Sequence, residues 1–180
     1  REMACRIVDL QTELFARREG RKDISLNCAT YTFEDIVCKS ECMLNLKQKA
    51  AKAAKSSSAI LIYGETGTGK KMFAQAIHNE SARKKGPFIM QNCAMLPERL
   101  LDKILFGTTK DKRINDYEQP GLFELADSGT IFLEGIDSFP VNLQKKLIRI
   151  LLTKQLHRLG DIKERTVDVR ITAAMTGVPE

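Results

Sequence analysis

The stretch AILIYGETGTGK, Ala59 to Lys70, decides how the rest of the chain is read. An apolar run from Ala59 to Tyr63 enters a turn punctuated by Gly64, Gly67 and Gly69 and leaves it on Lys70 and Lys71. Short, β-branched and bounded by glycine, the run predicts a buried strand, and the residues after Lys70 have a helical pattern. A strand, a glycine loop, a lysine and a helix in that order make a phosphate cradle. Backbone N–H groups turn inward, glycines allow the curvature, and the helix N-terminus adds positive potential. Gly64, Glu65, Thr66, Gly67, Thr68, Gly69, Lys70 and Lys71 are therefore candidate nucleotide-binding residues, with Lys70 expected to reach the β and γ phosphates. The full motif closes on Ser or Thr, whose hydroxyl binds magnesium; here Lys71 occupies that position.

Working outward, apolar runs alternate with helical segments. Phe88–Asn92, Thr130–Leu133 and Val167–Ala174 read as further buried strands, and helices are expected over Lys70–Asn79, Pro97–Leu105 and Asn142–Lys154. Alternation of this kind predicts an α/β fold, a largely parallel sheet covered on both faces. Upstream, Ser40 reads as the N-cap of another helix that ends in the alanine-rich turn near Lys55. Ile7, Leu10, Leu14 and Phe15 recur at helical spacing among charges. They predict an amphipathic connector, so residues 1–29 are expected to be a connector and linker and residues 30–180 the domain. Both ends read as cuts through a longer polypeptide.

At 180 residues, 43% hydrophobic and 29% charged, the chain can bury one sizeable core. Lysine and arginine exceed the acids by 29 to 23, a net +6 compatible with phosphate ligands or a basic surface. The odd number of cysteines, Cys5, Cys28, Cys38, Cys42 and Cys93, has no CxxC pairing, and there are 2 histidines. A structural zinc site is not expected, and reduced thiols in a cytoplasmic protein are. Cys93 falls in a predicted buried strand and is expected to pack. His78 and His157 have no evident partners. No apolar stretch approaches the roughly 18 to 20 residues needed to span a bilayer, so no membrane partner is expected.

The loop continues as GETGTGKKMFAQAIHNESARKKGPFIMQNCAMLPERLLDKILFGT, and similarity resumes in PGLFELADSGTIFLEGIDSFPVNLQKKLIRIL, in HRLGD and in VDVRITAAM. Over Tyr31 to about Thr176 this resembles the central AAA+ domain of the sigma-54-dependent bacterial transcription activators, in wording nearest the arginine-utilisation regulators. The resemblance implies a P-loop NTPase core that binds ATP or ADP with Mg2+ and assembles into a ring in the full-length protein. It also implies engagement of sigma-54 RNA polymerase and DNA binding through a helix-turn-helix domain. That domain and the helical lid that follows the core are not in these residues. Ile36 and Val37 match the segment that packs on adenine, although Cys38 replaces the usual glycine.

Three departures bear on mechanism. The sigma-54-contacting loop of the family, GAFTGA, falls where this chain has Asp111 to Asp116, and none of its residues is kept. Family members end the strand before IDSFP in Asp-Glu, one acid for magnesium and one to polarise water. Here the pair is Glu134 and Gly135, so Glu134 is the candidate catalytic and metal-binding acid and Gly135 cannot position water. The Thr-Asn that senses the γ-phosphate is Met175 and Thr176. Asn92 matches the asparagine that couples the missing glutamate to nucleotide state, and Arg158 an arginine that reaches a neighbouring subunit's site. Finally, Lys71 reverses the charge of the family's glutamate. Impaired hydrolysis with nucleotide binding retained is the expectation. The alternatives are an active ATPase in which Asp137 orients water and an interaction module with a vestigial site.

Overall fold

A computed structural model describes residues 29–110 and 118–177. The predicted connector helix and the segment replacing the sigma-54 loop lie outside the described residues.

Helix α1 (Glu41–Ala54) begins where Ser40 is predicted to cap it, the serine hydroxyl accepting from the Met43 amide at 3.3 Å. Strand β1 (Ile60–Tyr63) leads through the glycine loop into α2 (Lys70–Glu80) and then β2 (Phe88–Asn92). Helix α3 (Glu98–Phe106) runs into β3 (Gly107–Thr108), which pairs antiparallel with β4 (Gln119–Pro120). Next come α4 (Leu122–Leu125), β5 (Thr130–Glu134), a 3-10 turn (Ile136–Ser138) and α5 (Val141–Thr153). The short hairpin β6 (Gln155–Leu156) and β7 (Arg165–Thr166) precedes β8 (Arg170–Met175).

Strands β1, β8, β5 and β2 form one sheet in that order, every pairing parallel. Alternation along the strands divides the core. Ile89, Ile131, Leu133 and Ile171 enter a large cluster with Leu101, Leu105, Leu143 and Ile150 of α3 and α5. Phe88, Met90, Phe132 and Ala174 face the other way, onto Ala74 of α2. Behind α2, Phe73 and Ala76 pack with Ile36 and with Met43 and Ala50 of α1.

One expectation needs correction. The last strand was expected from Val167, but pairing starts at Arg170. Val167 and Val169 do bury their side chains in the same cluster as Ile171, which is why the alternation runs through. Their backbone is used elsewhere: the Val167 amide donates to Lys154 O at 2.8 Å, and Asp168 O accepts from the Ser128 amide at 2.9 Å. Residues 29–31, at the expected boundary between linker and domain, are fastened to α2. Gln75 Oε1 accepts from the Thr30 amide at 2.9 Å, and Asn79 Nδ2 donates to Ala29 O and Tyr31 O at 3.0 and 2.7 Å. Four residues apart, Gln75 and Asn79 share one helix face.

Arg170 explains how α1 is held on the sheet. Its side chain is 2% exposed and donates to Ala53 O, Ala54 O and Ser58 O at 2.7, 2.8 and 3.2 Å. Carbonyls at a helix C-terminus lack partners within the helix, and a guanidinium supplies several donors at once.

Candidate functional site

The carboxyl ends of β1, β8 and β5 lie side by side, with Tyr63 opposite Met175 and Ala174 opposite Glu134. In open parallel sheets ligands bind outside these ends. The glycine loop starts there, the Gly64 amide donating to Met175 O at 3.3 Å. Gly67 and Gly69 have φ of +84° and +86°, a left-handed conformation that side chains oppose, and a Cβ on either would meet nothing within 4 Å. Backbone conformation, not crowding, therefore requires glycine at both. Lys70 is 8% exposed, and its Nζ donates to Gly64 O and Glu65 O, each at 2.7 Å, so the loop wraps its own lysine. Thr68 closes the turn, its hydroxyl donating to Glu65 O at 2.7 Å. The amides of Thr66, Gly67 and Gly69 have no acceptor among the described residues. Lys71 follows in the first turn of α2 and is exposed.

At the edge of this loop stand the groups of the neighbouring strands. Glu134 ends β5 half-buried, opposite Asn92 on one side and Ala174 on the other. The Asn92 side chain turns to the backbone, its Oδ1 accepting from the Ala94 amide at 3.0 Å. Gly135 has φ of +73° and ψ of 40°, and its amide donates to Ala174 O at 2.9 Å. A Cβ built on it would lie 2.9 Å from Ala94 Cβ. Asp137 and Thr176 meet, the threonine hydroxyl donating to Asp137 Oδ2 at 3.0 Å. This pair is one residue beyond Met175, the residue that holds Gly64.

Ile36, Val37 and Arg158 are the other predicted site residues. Ile36 is 7% exposed and sits in the core between α1 and α2, with Lys47 Nζ donating to its carbonyl at 3.2 Å, whereas Val37 is 88% exposed. Arg158 joins an acidic cluster. Its Nε and Nη2 donate to the two oxygens of Glu124, each at 2.7 Å, and its Nη1 to Glu118. Glu124 first, then the charges of Glu118 and Asp161, hold its pKa above the usual arginine value against the opposing effect of burial. Arg165 shares Glu118 and pairs with Asp161 at 3.0 Å.

Three buried groups were not assigned such roles from sequence. His78 has a partner after all: its Nδ1 lies 2.9 Å from Thr130 Oγ1 on β5. Burial, helped by the Arg170 charge, pushes its pKa down to about 4. Cys93 packs as expected, 2% exposed, and burial followed by the Glu134 charge pushes its thiol up to about 12. Gln91, 1% exposed, donates to Asn92 O while its Oε1 has no partner among the described residues.

A parallel sheet whose first strand feeds a glycine loop and helix, with an acid at the end of the next strand but one, defines a P-loop NTPase core of the AAA+ class. Comparison with known proteins narrows this. The family model for the sigma-54 interaction domain matches residues 36–179, and the chain belongs to that family. The transcriptional activator RocR of Bacillus subtilis is 47% identical over 150 residues, 83% of this chain and 32% of RocR. Crystal structures of NtrX from Brucella abortus in complex with ADP and with ATP both superpose with a TM-score of 0.73, at 34% and 33% identity. Each match covers 79% of this chain, and 31% and 30% of NtrX. The chain thus spans about a third of the length of these relatives. Among the described residues, no helix is long and apolar enough to cross a membrane.

Proposed function

We propose that this chain is the nucleotide-binding core of a cytoplasmic sigma-54-dependent-type regulator, one that holds ATP or ADP and hydrolyses it slowly or not at all. The observation that carries the reading is the backbone at Gly135. Position 135 follows the strand-end acid, where water would have to be polarised. It is left-handed, lacks a side chain, and a Cβ there would lie 2.9 Å from Ala94 Cβ. Loss of a general base costs about 10²- to 10⁴-fold in rate. The phosphate loop is by contrast intact in conformation, with free amides and a seated Lys70, and the relatives crystallised with ADP and ATP support nucleotide as its ligand.

In this reading Gly64 to Lys70 hold the phosphates, Val37 covers the base while Ile36 anchors the segment, and Glu134 is the acid nearest the phosphates. Arg158 would serve a neighbouring subunit's site only by leaving Glu124 and Glu118, so ring formation in the full-length protein has to compete with those pairs. Contact with sigma-54 RNA polymerase is weakened by the charged sequence at Asp111 to Asp116, and DNA contact belongs to a separate helix-turn-helix domain. Calorimetric titration with ATP and ADP, followed by phosphate release on the same samples, tests the proposal. Binding without release that is abolished by Lys70→Ala is the expected result. Turnover at the rate of ordinary AAA+ proteins overturns it, and absence of binding would leave a scaffold kept for its contacts.

One observation favours a second reading, an active ATPase. Asp137 is held by Thr176 beside the loop, and that carboxylate could orient water in place of the acid missing at position 135. Phosphate release that disappears in Asp137→Asn would select it.

A further inference from the structure

Magnesium bridges nucleotide phosphates when the protein offers it oxygens: a hydroxyl from the residue after the loop lysine and a carboxylate from the neighbouring strand end. The donor set here is incomplete. The strand-end carboxylate is present as Glu134, but it is followed by Gly135, the residue after Lys70 is a lysine in place of a hydroxyl, and the next acid, Asp137, already accepts from Thr176. No group of three His, Cys, Asp or Glu side chains among the described residues is arranged to hold a metal ion.

Lys71 is the feature that the phosphate loop does not explain. It lies in the first turn of the 11-residue α2, is exposed, and has no hydrogen-bond or ion-pair partner among the described residues. That turn contains no acid, so two consecutive lysines face the positive end of the helix dipole uncompensated. Such a placement is unfavourable unless an anion joins it. The Lys70 ammonium lies against the carbonyls of Gly64 and Glu65, whereas Lys71 has a flexible four-carbon stem and, among the described residues, an unpaired charge. The other charged groups at this edge, Glu65, Glu134 and Asp137, are acids that would repel phosphate. Countercharge beyond that of Lys70 and the loop amides must come from Lys71 or from a metal, and an ammonium rooted where the metal-binding hydroxyl would start also repels the metal.

We propose that Lys71 replaces the divalent cation, so that the loop binds the phosphates of a nucleotide without magnesium. This rests on the nucleotide reading of the site, and the experiment separates the two. ADP and ATP are titrated into the 180-residue chain by calorimetry, once in excess EDTA and once in magnesium, with Lys71→Ser and Lys71→Glu alongside. The wild-type dissociation constant in EDTA is expected to stay within about threefold of that in magnesium, Lys71→Glu to weaken binding in EDTA by at least about tenfold, and Lys71→Ser to make binding depend on magnesium. Circular dichroism melts of the variants, altered at an exposed position, report whether they fold. Wild-type binding that needs magnesium, or Lys71→Ser binding equal to wild type in EDTA, overturns the proposal and leaves the nucleotide site standing. No binding in either buffer overturns both.

Discussion

Restoring the acid that the resemblance finds missing, by Gly135→Glu, is expected to damage the protein before it improves the chemistry. Position 135 has φ of +73°, and a residue with a side chain in the left-handed region costs about 1–2 kcal/mol. The new Cβ would sit 2.9 Å from Ala94 Cβ and 3.3 Å from the Ala94 amide, an overlap that has to be relieved by moving backbone, at about 1–3 kcal/mol. Together these predict a loss of roughly 2–5 kcal/mol in urea unfolding, with no gain in phosphate release. Gly135→Ala should lose nearly as much, because the Cβ and not the carboxylate is responsible. Gly135→Glu combined with Ala94→Gly should recover the steric part and keep the conformational part, which a double-mutant cycle separates. The reasoning fails if Gly135→Ala unfolds within about 0.5 kcal/mol of the wild type, the range of an unstressed surface substitution.

Stability should also fall with acid between pH 6.5 and about 4. His78 is buried neutral with a pKa of about 4, so over this window the unfolded chain binds a proton that the folded one refuses. The contribution is whole above pH 6.5 and lost toward pH 4, roughly 3 kcal/mol in all, and His78→Gln should flatten that part of a pH series of unfolding curves. Arg170→Met should cost about 2–4 kcal/mol by leaving the carbonyls of Ala53 and Ala54 buried without donors, seen as a lower urea midpoint. Arg158→Ala should cost about 1–2 kcal/mol, since Glu124 loses both oxygens' partner, and Glu124→Gln should recover part of it in a double mutant.

Much of this molecule is local and could be read as such. Strand β2 runs over the residues expected of it, β1 and β5 differ by one residue at an end, and Ser40 caps α1, because apolar alternation, glycine conformation and side-chain capping act over a few residues. The phosphate loop was legible for the same reason: Gly67 and Gly69 need left-handed backbone whatever the surrounding fold. Reading failed where backbone was recruited from afar, as at Val167, whose apolar side chain fits a strand but whose amide serves Lys154.

What the chain of residues could not show was partnership across the fold. Thr176 meets Asp137 across 39 positions, His78 meets Thr130 across 52, and Arg170 reaches Ala54 across 116. Thr176 reaches Asp137 because β8 lies beside β5, in a sheet order set by packing two apolar faces and not by any local pattern. The same order brings Ala94 against Gly135. An absent acid, evident from the amino acids alone, thereby becomes a place where a side chain would be crowded, because strand pairing has put Ala94 Cβ 2.9 Å from where a new Cβ would lie.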